Sequence, residues 1–275
     1  VWHKLNSFQL VYVTPEMTTT SRFRGVLPSL DIALLAVDEA HCVSEWGHDF
    51  RPEYRRICEL REIVKVPMVA VTATATPDCQ LDIIRHLDIQ GASLVTTVDR
   101  PNLIFTVVHK PTCAWRTIQE LLPPSGSVIV YVPTVKEADD VSTALIEKGV
   151  SCARYHAGCD FEERRRVHDA FSHDQIQVVV ATLAFGMGVD KPDVRTVIHW
   201  GMPKTIEAYY QQAGRAGRDG DVAQCVLFHG PADYMVAKHL VGEDPRALKG
   251  LNAMRHYCAA YSECRRKALV RYFGE

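Results

Sequence analysis

The sequence predicts an α/β protein with two parallel-sheet lobes, the first one incomplete, followed by the start of a helical region. Three observations predict it. Six short apolar, β-rich runs recur along the 275 residues: FQLVYV (8–13), IALLAV (32–37), PMVAVTA (67–73), SVIVYV (127–132), IQVVVAT (176–182) and VRTVIHW (194–200). Amphipathic stretches with helical spacing lie between several of them, such as VKEADDVSTALIEKG (135–149) and FEERRRVHDAFSH (161–173). Nearly uniform apolar runs alternating with helices belong to parallel sheets covered on both faces. After GEDPRALKG (242–250) the pattern turns purely helical.

VDRPNLIF (98–105) is the best boundary, because a proline-containing stretch there precedes a fresh strand and a new α/β series. The expected organisation is a partial unit over 1–97, a complete one over 98–241 and a helical start over 242–275. Hydrophobic residues make up 47% and charged residues 23%, the mix of a soluble globular protein. No run approaches the ~18 consecutive apolar residues of a membrane span. A net charge of −2 gives no global basic footprint, so nucleic-acid contacts would have to come from local groups. Nine cysteines, an odd number without a CxxC pair, favour reduced, buried thiols over a disulfide framework. The chain opens on Val1 with no leader pattern, which leads to the expectation that it is a piece of a longer protein.

The apolar run at 32–37 ends in Asp38 and Glu39. A buried strand ending there projects both carboxylates from the carboxyl edge of a parallel sheet, where open α/β folds bind ligands. An Asp in that place can hold Mg²⁺ and a neighbouring acid can orient or deprotonate an attacking water. The bland alternative, an acidic first helical turn favoured by the helix dipole, is roughly twice as common for an isolated Asp-Glu. Ala40 and His41 complete the tetrapeptide DEAH and shift the balance toward an ATPase. Trp46, His48, Phe50 and Arg51 follow in what reads as a loop; ordinary core packing is the competing fate for the two aromatics.

VTATATP (71–77) runs from a strand into small hydroxyl residues, and Thr72 and Thr74 could link the acid pair to a neighbouring domain. In QQAGRAGRDG (211–220), Arg215 and Arg218 stand three apart among small residues, so both guanidinium forks can share one side of a turn. Facing a bound nucleotide, one of them can act as an arginine finger. A basic surface turn is the alternative, made less fitting by the Tyr-Tyr-Gln-Gln run and the bracketing glycines.

Together these residues resemble the RecQ family of ATP-dependent DNA helicases, DEAH-type members of superfamily two. The resemblance runs through YVTPE (12–16), AVDEAHCVSEWGHDFRPEY (36–54), VAVTATAT (69–76), DRPNL (99–103), YHAG (155–158), VVATLAFGMGVDKPDVRTVIHW (179–200) and YYQQAGRAGRDG (209–220). Several details are similar to the Werner-type eukaryotic branch. The resemblance implies RecA-like lobes, ATP and Mg²⁺ as cofactors, and single-stranded and forked DNA as substrates. It implies a 3′→5′ motor serving repair, recombination or replication, nuclear in a eukaryote and cytoplasmic otherwise, with no membrane involved and with partner proteins left open.

By the same resemblance, Asp38 and Glu39 coordinate Mg²⁺ and activate water, and His41 couples the nucleotide to the DNA side. Trp46, His48, Phe50 and Arg51 sense single-stranded DNA. Thr72 and Thr74 couple the lobes. Thr182 and Gly186 contact DNA, and Gly188, Asp190 and Gln211 the nucleotide. Arg218 is the finger, with Arg215 its γ-phosphate or acid-pair partner. Cys264 is the first of four zinc thiolates, the zinc belonging to the intact domain only, and Cys258 is a packed thiol. ERRR (163–166) reads as a solvated helix face.

Some features depart from the family. No GxxxxGK[ST] occurs in the 275 residues, so the expectation is a chain that does not hydrolyse ATP by itself. Gln212 stands where a Glu is frequent, and Cys159 where an aliphatic residue is usual. A non-catalytic nucleic-acid-binding or regulatory module derived from a helicase is the alternative reading. An RNA helicase is disfavoured by the WGHDFRPEY loop.

Overall fold

The computed structural model describes residues 2–45, 47, 50–186, 189–260 and 262–275. The chain forms two compact units, one of Val1–Thr97 with Tyr272–Glu275 and one of Val98–Arg271.

In the first unit, β1 (Leu35–Val37) pairs in parallel with β2 (Met68–Ala70), Val37 lying opposite Ala70. Phe23, Leu27, Val37, Val43, Ile57, Leu60, Met68, Ile83 and Leu87 form its core. The helix Pro77–His86 follows β2; Thr76 caps it by accepting from the Cys79 amide, Pro77 supplies the preset first-turn φ, and Arg85 and His86 sit at its negative end. Residues 8–13 are not a strand, contrary to their β-rich composition. Phe8, Leu10, Val11, Tyr12 and Val13 are exposed, and no ladder partner lies beside them among the described residues. A β-prone segment gains its stability from cross-strand pairs and is marginal without them.

The second unit carries six parallel strands: β3 (Leu103–His109), β4 (Ser127–Tyr131), β5 (Cys152–Tyr155), β6 (Val178–Ala181), β7 (Val194–Trp200) and β8 (Ala223–His229). Their order is β3-β8-β7-β4-β6-β5. β4 and β6 are buried along their whole length, which is why their sequences are uniformly apolar. β8 was not among the apolar runs, because Gln224 and His229 interrupt the pattern.

One face of this sheet packs Val128, Val130, Ile198, Trp200 and Phe228 against Ile118, Val141 and Leu145 of the helices Ala114–Glu120 and Val135–Glu147. Side-chain caps start the helices on schedule: Thr134 accepts from the Glu137 amide, Asp160 from the Glu163 amide and Thr205 from the Ala208 amide. Three further helices, Pro231–Val241, Pro245–Ala259 and Arg265–Tyr272, close the chain. No described helix is long and apolar enough to cross a membrane. All nine cysteines are free, five of them buried and Cys264 exposed.

Candidate functional site

The acid pair lies immediately beyond β1. Asp38 is exposed, and its Oδ1 accepts from the Glu39 amide at 2.8 Å. Glu39 adopts φ 49° and ψ 43°, a left-handed conformation that long side chains seldom take. Such a conformation costs on the order of 1–3 kcal/mol and persists where surrounding structure enforces it. The enforcing contact follows at once, because the Ala40 amide donates to the Val71 carbonyl at 2.9 Å. This turn drives His41 inward to 2% exposure.

His41 Nδ1 lies 3.1 Å from Thr72 Oγ1 and 3.3 Å from Glu39 Oε2. Thr72 Oγ1 also accepts from the Thr74 amide at 3.3 Å. The acid pair, His41 and the 71–77 turn are therefore one hydrogen-bonded unit. The Thr74 hydroxyl is buried and has no partner among the described residues.

Of the aromatic loop, Trp46 and His48 lie outside the described residues. The Arg51 amide donates to the Cys42 carbonyl at 3.0 Å, one residue from His41. Phe50 is half-buried beneath Arg55, whose guanidinium carbon stands 5.2 Å from the ring centre. Arg55 also pairs with Glu45 at 2.9 Å and donates to the Val43 carbonyl, fastening the loop's two ends. Tyr54, the last residue of the WGHDFRPEY tract, is half-buried and within electrostatic reach of the acid pair. Burial pushes its phenol pKa up, Cys42, Glu39 and Asp38 add to the rise, and Arg51 opposes it.

The second group of candidates lies on the 182–190 loop after β6 and on the turn after the helix Ile206–Ala213. Arg215 Nη1 donates to the Gly186 carbonyl at 2.5 Å. A Cβ on Gly186 would stand 2.7 Å from Arg215 Nη2, so a side chain there would push the guanidinium aside. Arg218 donates to the Val189 carbonyl at 2.8 Å and to Asp190 at 2.9 Å. Both arginines are thus engaged with the loop. Thr182 and Gln211 are half-buried nearby in sequence, and Gly188 lies outside the described residues.

Tyr131 and His199 support this arrangement from beneath. They are register partners on β4 and β7, their rings stacked with centres 5.3 Å apart. Tyr131 Oη donates to the Phe185 carbonyl at 2.9 Å, and burial pushes its phenol up to about 12 against the opposing charge of Arg215. His199 Nε2 is 2.9 Å from Gln212 Oε1. Burial lowers the His199 imidazole to about 4, with the Gln212 hydrogen bond acting the other way. Polar residues at the ends of otherwise apolar strands were the available signal for both.

Cys264 is exposed, and no three His, Cys, Asp or Glu side chains converge as metal ligands among the described residues. A lone thiolate does not make a tetrahedral zinc site. Cys258 is buried, its thiol pushed up to about 12 by that burial.

Three family models tile the sequence. Residues 1–81 match the DEAD/DEAH box helicase model, 113–220 the helicase conserved C-terminal domain and 231–275 the RecQ zinc-binding model. The ATP-dependent DNA helicase RecQ of Bacillus subtilis is 42% identical over 284 residues, covering 99% of this chain and 48% of the relative. The chain belongs to the RecQ helicase family. The RecQ protein of Pasteurella multocida is 41% identical over 287 residues, covering 100% of this chain and 45% of its own. The bifunctional 3′-5′ exonuclease/ATP-dependent helicase WRN of Mus musculus is 38% identical over 297 residues, with 99% and 21% covered. Identity to WRN does not exceed identity to these bacterial members, so the comparison does not single out a Werner-type branch. This RecQ-family chain spans less than half the length of these curated relatives.

Among solved structures, Mycobacterium smegmatis helicase Lhr bound to ssDNA and AMP-PNP aligns with a TM-score of 0.62 at 22% identity, over 94% of this chain and 39% of that one. Saccharomyces cerevisiae Dbp5 L327V bound to RNA and ADP BeF3 gives 0.61 at 18%, over 89% and 62%. At these identities the likeness concerns the fold, which is that of RecA-like helicase lobes followed by helices.

Proposed function

We propose that this chain works as part of an ATP-dependent DNA helicase that travels 3′→5′ on single strands and unwinds forked duplexes in repair, recombination or replication. Residues 1–97 would form the C-terminal part of the first RecA-like lobe, 98–241 the second lobe and 242–275 the beginning of the zinc-binding helical region. The observation that carries the reading is the contact of His41 with both Thr72, at 3.1 Å, and Glu39, at 3.3 Å, with the Arg51 amide one residue away on Cys42. A nucleotide-side acid and a DNA-side loop would then share one short connection through the buried His41 and Cys42.

In this account Asp38, exposed at the strand edge, would hold Mg²⁺, which neutralises phosphate charge when bound. Glu39 orients and deprotonates the attacking water, and His41 fixes the Glu39 carboxylate while reporting to Thr72. Trp46 and Phe50 stack on bases without regard to sequence, with Arg51 and His48 adding polar contacts. Thr182 and Gly186 meet the DNA backbone, and Gly188, Asp190 and Gln211 the nucleotide. Arg218 supplies the finger and Arg215 the second positive charge. To reach a nucleotide, both must exchange their present partners on the 182–190 loop. Cys264 would contribute one thiolate to a zinc site completed by other ligands. The compartment would be the nucleus in a eukaryote and the cytoplasm in a bacterium.

No GxxxxGK[ST] occurs in these 275 residues, so we propose that they do not turn over ATP unaided. That same observation favours the second reading, a non-catalytic nucleic-acid-binding or regulatory module. Adding a Walker A-bearing segment from a RecQ relative separates the two. The helicase reading predicts ATP turnover stimulated by ssDNA and not by RNA. A chain so completed that binds ssDNA without any turnover would establish the module instead.

A further inference from the structure

The side chains of the DRPNL segment (99–103) grip the arginine-bearing turn. Arg100 donates through Nη2 to the carbonyls of Ala216 at 3.2 Å and Gly217 at 2.8 Å, and through Nη1 to Gly214 at 3.5 Å. Asn102 Nδ2 donates to Gly217 at 2.8 Å and to the Asp221 carbonyl at 2.9 Å. Arg100 Nε reaches Asn102 Oδ1 at 3.4 Å, which couples the two side chains. Four carbonyls between 214 and 221, the stretch that contains both Arg215 and Arg218, are therefore fixed by two residues more than a hundred positions upstream.

The turn is shaped to accept this grip. Gly217 sits at φ +55°, and a Cβ there would stand 2.6 Å from Asn102 Nδ2 and 2.7 Å from the Asp221 carbonyl oxygen. Only glycine lets the backbone come close enough to both. The grip is itself held from behind. Arg266, on the helix Arg265–Tyr272, donates to the carbonyls of Pro101 at 2.9 Å and Leu103 at 2.8 Å and lies 3.5 Å from Asp99. Charge-assisted bonds of this kind are the stronger ones, and a planar guanidinium spanning several carbonyls fixes direction as well as distance.

We infer that Arg100 and Asn102 are positioning residues that hold Arg215 and Arg218 in register, and that Arg266 connects this clamp to the C-terminal helix. The clamp leaves both arginine side chains able to swing while it immobilises the backbone from which they swing. Its consequence for turnover rests on the proposed role of those arginines; its mechanical part does not. The helix carrying Arg266 lies inside the RecQ zinc-binding match, so distortion of that helix would be felt at the arginine turn.

Hydrogen exchange on the 275-residue chain reads the mechanical part. Arg100→Ala should speed exchange of the 214–221 amides at least about tenfold, while β4, β6 and β7 keep wild-type rates. Arg266→Ala should speed exchange in 99–104 and, to a smaller extent, in 214–221. Arg154→Ala, which removes exposed ion pairs on β5, should change neither. In the chain completed with a Walker A loop, Arg100→Ala should lower kcat about tenfold with KM for ATP within about twofold. Unchanged exchange at 214–221 overturns the inference, and so does faster exchange with unchanged kcat when Arg218→Ala lowers kcat. Should Arg218→Ala itself leave kcat intact, the finger assignment fails and the exchange result still decides the clamp.

Discussion

Replacing Gln212 by Glu should reverse the acid sensitivity of the second unit. His199 is 1% exposed between Tyr131 and Tyr209, with Gln212 as its hydrogen-bond partner. Burial lowers its pKa from 6.5 to about 4. The unfolded chain therefore binds a proton between those values that the folded chain refuses, and stability rises with pH across that window. At 1.36 kcal/mol per unit, His199 contributes about 3 kcal/mol above pH 6.5 that disappears as pH falls toward 4. A carboxylate in place of the Gln212 amide would face the imidazole at about 4 Å between charge centres. At an effective dielectric of ~20 that pair is worth about 4 kcal/mol, enough to offset the burial.

The variant should thus show a His199 pKa near or above 6.5 and a flat or inverted acid limb. Urea unfolding at several pH values between 4.5 and 7.5, with ¹⁵N detection of the imidazole, measures both. His229, also lowered by burial, tilts wild type and variant alike, so their difference isolates His199. Equal acid limbs in the two proteins would refute the reasoning.

Tyr131→Phe removes the donor to the Phe185 carbonyl and should cost about 1–2 kcal/mol in urea unfolding. Thr72→Val keeps the shape of the 71–77 turn but deletes the oxygen shared by His41 and the Thr74 amide. In the Walker A-completed protein it should depress ssDNA-stimulated ATP turnover more than basal turnover, measured with a coupled ATPase assay. Trp46→Ala should weaken ssDNA binding by about 1–3 kcal/mol in fluorescence anisotropy, with similar losses for pyrimidine-rich and mixed-sequence strands.

What could be read from the sequence was whatever depended on neighbours along the chain. The strand running into DEAH and the capped helices after Thr134, Asp160 and Thr205 declare themselves through local pattern. Features set by distant partners did not. Residues 8–13 have strand composition, yet strand formation is decided by what lies alongside, and none does among the described residues. β8 hides because Gln224 and His229 break its apolar run.

At the site, Gln212 departs from the family pattern, and its partner His199 lies thirteen positions earlier on β7. The grip of Arg100 on residues 214–217 spans more than a hundred positions and leaves no local trace. Likewise, the two arginines expected to face a nucleotide are seen holding the 182–190 loop, a set of partners that spacing alone could not supply.

In the proposed function Glu39, held in its left-handed turn 3.3 Å from His41, activates water for ATP hydrolysis. The direct measurement is steady-state ATP turnover with saturating ssDNA, in the chain completed with a Walker A loop, for Glu39 against Glu39→Gln. The expected result is a kcat reduced by about 10²–10⁴-fold with nucleotide binding retained. Turnover by Glu39→Gln at the rate of the unaltered protein would contradict it.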